Sequence, residues 1–133
     1  MIDFQRIRLL NKEEQDLRWR IIRAEARATR TTTNLTGMPR SGGFSNRMEE
    51  VIVEIATMKE AYIQITEELS VKKAELEKAI KVIKNPFVLL SIRMRYINGQ
   101  KIKEICTALS YSDRQVLRFL KQGEREINRT RSL

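Results

Sequence analysis

Within the ten residues from Ser112 to Lys121 the chain sets a hydroxyl, a carboxylate, two guanidiniums, a carboxamide and an ammonium, as Ser112, Asp113, Arg114, Gln115, Arg118 and Lys121. Such groups suit the reading of nucleotides better than the breaking of bonds. An arginine fork meets guanine O6 and N7 together, a glutamine does the same for adenine, and an aspartate accepts from cytosine N4. Asp113, Arg114, Gln115 and Arg118 are therefore the candidate base-reading residues. Ser112, Lys101, Lys103, Lys121 and Arg125, with Arg129 and Arg131 beyond them, suit phosphate contacts, which set register without reading sequence. Arg93 and Arg95, just upstream, are placed to clamp the same backbone.

Other chemistries are removed by composition. The chain has no histidine and one cysteine, Cys106. It therefore lacks the partners for a Cys/His zinc site, a Ser-His-Asp or Cys-His nucleophile pair, or a disulfide. No glycine loop of the phosphate-binding kind occurs, and the Asp and Glu pairs read as helix surface. The expectation is a protein that is not an enzyme and uses no metal or cofactor. Lys plus Arg number 26 against 17 acids, a net charge of +9 with a pI near 10.1. That balance favours a polyanionic partner, with double-stranded DNA ahead of a membrane surface. Cys106 sits on an apolar stripe and reads as core packing.

The elements that must hold these residues lie between 85 and 133. Asn85 and Pro86 stop one helix and start another, since proline lacks a donor and its fixed φ suits a first turn. Phe87, Leu90 and Met94 with Tyr96 and Ile97 mark the apolar side of that helix, which Asn98 and Gly99 end. A short helix over Lys101 to Leu109 turns Ile102, Ile105, Cys106 and Leu109 inward. Ser110, Tyr111 and Ser112 form a turn. Ser112 then caps a third helix with Gln115 three residues on, Tyr111 stapling onto Val116, and Val116, Phe119, Leu120 and Ile127 buried. Two helices joined by a three-residue turn, the second capped and basic, follow the helix-turn-helix plan.

The stretch RYINGQKIKEICTALSYSDRQVLRFLKQGEREI resembles region 4 of sigma factors. The usual form there is an arginine, tyrosine and aliphatic start, a glycine turn, then "I.EIA..LG.S...V.R....A...L". The order of long helices, Gly-rich loop and terminal module is similar to phage sigma-like regulators of the ArpU and RinA late-transcription type. The resemblance implies sequence-specific DNA binding, activation of late or packaging genes, and host RNA polymerase as a further partner. Ser110 stands where the turn usually has glycine, so it must accept a left-handed backbone or the turn differs. Two other functions compete: a small terminase subunit that binds phage DNA for packaging, and an interaction protein that binds polymerase without reading DNA.

The preceding 84 residues read as an assembly element. Apolar residues recur at heptad spacing at Ile7, Leu10, Leu17, Ile21, Ala24 and Ala28, interrupted by Glu14. Asn46, with Glu49, is a capping box for a second helix over 47–84. Its seam runs through Met48, Ile55, Tyr62, Leu69, Leu76 and Ile83, with Val51, Met58, Ile65 and Ala79 beside it and Lys72 the exception; Ile52 and Ile80 widen the stripe. Residues 31–46, with Gly37, Pro39, Gly42 and Gly43, read as a loop. The expected fold is all-α: a long antiparallel helical hairpin, coiled-coil-like, over 1–84, then the helix-turn-helix module over 85–133. The two helices differ in length, roughly 42 against 57 Å at ~1.5 Å per residue, so a homo-oligomer is expected, a dimer or larger. Segment charges of +5 over 1–47, −2 over 48–84 and +6 over 85–133 place the cations at the ends. Trp19 lies off the stripe, either as a partly covered surface residue or as a subunit or polymerase contact. No apolar run is long enough for a signal sequence or a membrane span. A cytoplasmic location is expected, that of the bacterial host if the protein is phage-encoded.

Overall fold

The computed structural model describes the backbone of residues 2–35 and 43–131 and the side chains of residues 2–30 and 47–130. The protein is all-α, with no strand among the described residues. Its helices are α1 (Phe4–Leu35), α2 (Gly43–Ala79), α3 (Pro86–Ile92), α4 (Ile102–Leu109) and α5 (Asp113–Arg131). A 3₁₀ turn over Ile80–Val82 follows α2, and a π-helical turn over Arg93–Ile97 continues α3. Among the described residues no helix is long and apolar enough to cross a membrane.

Helix boundaries differ from the expected ones at both ends of the Gly-rich stretch. Helix α1 reaches Leu35 and α2 begins at Gly43, so much of the expected loop at 31–46 is helical. Threonines at 31–33 cost a helix only about 0.7 kcal/mol each relative to alanine, too little to end it. Asn46 therefore stands inside α2 rather than at its cap, and its side chain and residues 36–42 lie outside the described residues. The other end of α2 also comes earlier than residue 84, because the 3₁₀ turn and an extended Ile83 intervene.

The chain divides into two compact units, one of residues 1–12 and 68–133 and the other of residues 13–67. In the second, residues of α1 meet residues of α2 in descending order. The Glu14 carboxylate accepts a hydrogen bond from Tyr62 Oη at 2.8 Å, Lys59 Nζ lies 2.9 Å from Glu25, and Arg27 lies 3.6 Å from Glu54. Glu14, which interrupts the heptad on paper, is buried and also bonded to Arg18. The seam absorbs a carboxylate because its lone pairs are met by a phenol and a guanidinium. Ala24 is fully covered, and Met48, Val51, Ile55, Met58 and Ile65 are half-buried. Ile52, expected to widen the stripe, is exposed.

The first unit holds the larger core. Leu69, Leu76, Ala79, Ile80 and Ile83 are buried there, as are Ile2, Phe4, Ile7 and Leu10. Arg6 makes a two-pronged bond to Glu68, both contacts at 3.0 Å, and that bond holds the Glu68 carboxyl below the usual range. The expected boundary at 84/85 falls inside this unit. The amino-terminal turns of α1 contribute to it through Tyr96: Phe4 lies 4.9 Å from its ring, and Asn11 Nδ2 donates to its carbonyl at 2.9 Å.

Helix α3 follows the punctuation expected of it. Asn85 is extended and its side chain accepts from the Phe87 amide at 2.9 Å, with Pro86 at the first helical position. Its inward face is not the expected one. Val88, Ser91, Ile92 and Tyr96 are buried, whereas Phe87 and Leu90 are exposed and Met94 is half-buried. The π turn, closed by Asn98 N to Arg93 O at 3.0 Å, inserts a residue and shifts the later part of the helix in phase. No sequence period contains such a shift.

Helices α3 and α4 both pack on α5. Gly123 of α5 is buried where the helices cross, and a Cβ there would lie 2.5 Å from Ile92 Cγ1, 2.8 Å from its Cδ1 and 3.1 Å from Val88 Cγ1. Ile92 and Val88 are themselves fully covered and have little room to yield. Gly123→Ala is expected to destabilise the protein by about 1–3 kcal/mol through overpacking, even though alanine is the better helix former by about 1 kcal/mol. Urea denaturation checks this; a variant as stable as the parent would mean that the two helices do not cross so closely.

Candidate nucleic-acid interface

Helix α5 sorts its residues by face. Val116, Phe119, Leu120 and Ile127 are buried as the spacing predicts, with Gly123 among them. Successive helical residues turn by about 100°, so Arg114, Arg118, Lys121, Arg125 and Arg129 fall within an arc of roughly 80° on the side opposite that core. All five are exposed, and no ion pair among the described residues holds any of them. They form one cationic row about 22 Å long at ~1.5 Å per residue. Asp113 and Gln115 flank its amino-terminal end. Arg118, Lys121, Arg125 and Arg129 line an open cavity of about 530 Å³ along this face.

The turn before α5 aims the row. Ser110 adopts φ 60° and ψ 38°, the left-handed conformation that a non-glycine residue must accept for the turn to close. The Ser112 hydroxyl accepts from the Gln115 amide at 3.3 Å, capping α5. Tyr111, expected as a staple on Val116, has aromatic neighbours as well. Its ring lies edge-on to Phe87 at 5.3 Å and to Phe119 at 5.2 Å, and Phe87 stacks on Phe119 at 6.1 Å. Phe87, whose position off the inward face of α3 looks wasteful, is what the turn leans on.

The remaining expected contacts divide. Lys101 and Lys103 are exposed around the start of α4, where the Lys101 amide donates to Glu104 at 3.4 Å. Arg93 and Arg95 are spent on structure. Arg93 makes a two-pronged bond to Glu77 at 3.0 and 2.9 Å, and Arg95 donates to the Gln100 carbonyl at 3.0 Å. A phosphate would have to displace these bonds, so neither residue is a ready clamp. The side chain of Arg131 lies outside the described residues. Within α4 only Ile105 is fully covered; Ile102, Cys106 and Leu109 are half-buried.

Two polar contacts beside the row escaped the spacing argument. The Cys106 thiol donates to Asp113 Oδ1 at 3.1 Å, so one oxygen of an expected base reader is already engaged. Partial desolvation, then this carboxylate, push the Cys106 thiol up. Behind the row, the buried Tyr96 hydroxyl bonds to Glu124. Burial, then that carboxylate, push the Tyr96 phenol up, so it stays protonated throughout the ordinary pH range.

Residues 30–128 match the family described as a protein of unknown function, DUF1492. The chain belongs to the DUF1492 family. No curated protein and no solved structure matches it. The DUF1492 match takes in α2 through all but the last residues of α5, including the turn and most of the cationic row, and leaves out nearly all of α1.

Ser112→Ala is expected to cost about 1 kcal/mol of stability by removing the cap, measured by urea denaturation. A raised thiol pKa leaves less thiolate at a given pH, so Cys106 should alkylate at pH 8.5 more slowly in the folded protein than in urea. Asp113→Asn, which removes the negative partner, should speed the folded reaction. An unchanged rate would show that the thiol and the carboxylate do not meet.

Proposed function

We propose that the protein is a sequence-specific double-stranded DNA-binding regulator of transcription, sigma region 4-like, of the kind phages use for late or packaging genes. Helices α4 and α5 form its helix-turn-helix, and α1 with α2 forms an antiparallel hairpin that brings subunits together. The observation that carries this reading is the row of five cations on the face of α5 opposite its core. Burial of Val116, Phe119, Leu120 and Ile127 obliges that row to point away from the protein, and the Ser112 cap sets its leading end. In this reading Arg114 and Arg118 enter the major groove with Gln115 beside them. Lys121, Arg125 and Arg129 follow the phosphates, with Lys101, Lys103 and Ser112 on the adjoining turn. Asp113 reads a cytosine amino group with the oxygen that Cys106 leaves open. Host RNA polymerase is the second partner, as the resemblance to sigma region 4 implies.

Selection of bound duplexes from a random pool should return a defined site. On that site Arg114→Ala should lose about 1–3 kcal/mol and relax one base position. Lys121→Ala should weaken cognate and random duplexes alike and lower the salt slope by about 0.9. If the two variants lose equally on cognate and random DNA, the division into reading and positioning residues is wrong. Selection that returns no site removes sequence-specific regulation altogether. A ring of eight or more copies in solution would favour the packaging role.

A further inference from the structure

Helix α1 carries a second row of cations that the DNA-binding reading does not use. Arg20, Arg23, Arg27 and Arg30 follow one another at intervals of three, four and three residues. At about 100° per residue they stay within an arc of roughly 80°, beside rather than on the seam of buried Ala24 and half-buried Ile21. All four are exposed, and they line a cavity of about 510 Å³ in which Glu54, 3.6 Å from Arg27, is the one acid. No ion pair among the described residues holds Arg20, Arg23 or Arg30. The row advances about 5 Å per arginine at ~1.5 Å per residue, an interval suited to successive groups of a chain-like polyanion. Trp19 stands at the edge of this arc, one helical turn before Arg23, and is 62% exposed.

An indole left in water beside a file of guanidiniums is a specific combination. Guanidiniums take phosphates in two-pronged fashion, and an exposed aromatic ring takes the face of an unpaired base. Together they are the two components of single-strand binding. A duplex keeps its bases stacked on one another and offers Trp19 nothing to stack on. An acidic protein would meet the arginines and leave the indole unused. We infer that the Trp19, Arg20, Arg23, Arg27 and Arg30 face of α1 is a binding site for single-stranded nucleic acid, separate from the cationic row of α5. The phosphates run along the arginines, and one base stacks on Trp19.

The chain has a single tryptophan, so its emission reports on this face alone. Titrating the full-length protein at low salt with a strand of twenty thymidines should quench that emission saturably by a third or more. The same length of duplex should leave it unchanged. Arg20→Ala combined with Arg23→Ala, both at exposed positions, should weaken strand binding at least tenfold and lower the salt slope by about 1.4, two single-strand phosphate contacts at about 0.7 each. Trp19→Phe, followed by anisotropy of a labelled strand, should bind more weakly but still bind. Arg118→Ala combined with Lys121→Ala and Arg125→Ala should leave the quench intact, which keeps this site distinguishable from the one on α5. The inference is overturned if no quench occurs, if duplex quenches equally, if the α1 double variant binds the strand like the parent, or if the α5 triple variant abolishes the quench.

Discussion

One buried face governs the carboxy-terminal part of this molecule. Val116, Phe119, Leu120, Gly123 and Ile127 share one side of α5, and α3 and α4 both close over it. Removing such side chains from water contributes about 1.5–3 kcal/mol each, whereas an exposed cation contributes almost nothing to folding wherever it points. The orientation of the five-cation row is therefore a consequence of the core. Gly123 sharpens this dependence, because α3 approaches so closely that no larger residue fits without moving Ile92. The row is aimed by packing, and the packing depends on the absence of one methyl group.

A second constraint converges on Tyr96. Its ring meets Phe4, its carbonyl accepts from Asn11, and its hydroxyl bonds to Glu124. Three stretches distant in sequence are thus tied at one residue of the π turn. This is why the first twelve residues belong to the same compact unit as the terminal helices. A π turn weakens a helix and is usually found where something is gained locally. Here the gain is the placement of a large amphipathic ring whose apolar body is buried and whose two polar ends are both met.

Much of this was legible in the residues because helical period and punctuation are local properties. The start of α3 at Asn85 and Pro86, the Ser112 cap and the four apolar residues buried along α5 all follow from backbone sterics and spacing, and the structure has each of them; of the two alternatives that the resemblance left at Ser110, the structure has the left-handed one. What spacing does not contain is pairing. Glu14 looks like a flaw in a heptad until Tyr62 is brought to it from 48 positions away. Arg93 looks like a phosphate clamp until Glu77 takes both prongs of its guanidinium. Phe87 lies off the buried face of its own helix and acquires its place from Tyr111 and Phe119. The phase of the residues after α3, Tyr96 among them, also depends on a one-residue insertion in the backbone, which no side-chain pattern announces. The exposure of the cations on α5 follows from one helix and was legible, whereas the partners of Arg93 and Arg95 depend on residues outside their own turn and were not.

The distribution of charge follows the same logic. Arg6, Arg18, Lys59 and Arg93 each lie against a carboxylate across or along the helices. Their side chains are roughly half exposed, and such pairs contribute at most about 1 kcal/mol each, less in salt. Their main effect is to remove those cations from the set open to a polyanion. Outside that set two files stand without such neighbours for most of their length, one on α1 and one on α5. Five like charges along about 22 Å of helix repel one another and oppose folding slightly. That cost is met by the apolar face behind them rather than by local acids, of which α5 has Asp113 alone in its first turn and Glu124 and Glu126 beyond. Glu124 is turned to Tyr96 and Glu126 bonds to Gln122; both border the row, Glu126 in the cavity of Arg118 and Arg125 and Glu124 beside Lys121 and Arg129, and neither forms an ion pair with it among the described residues.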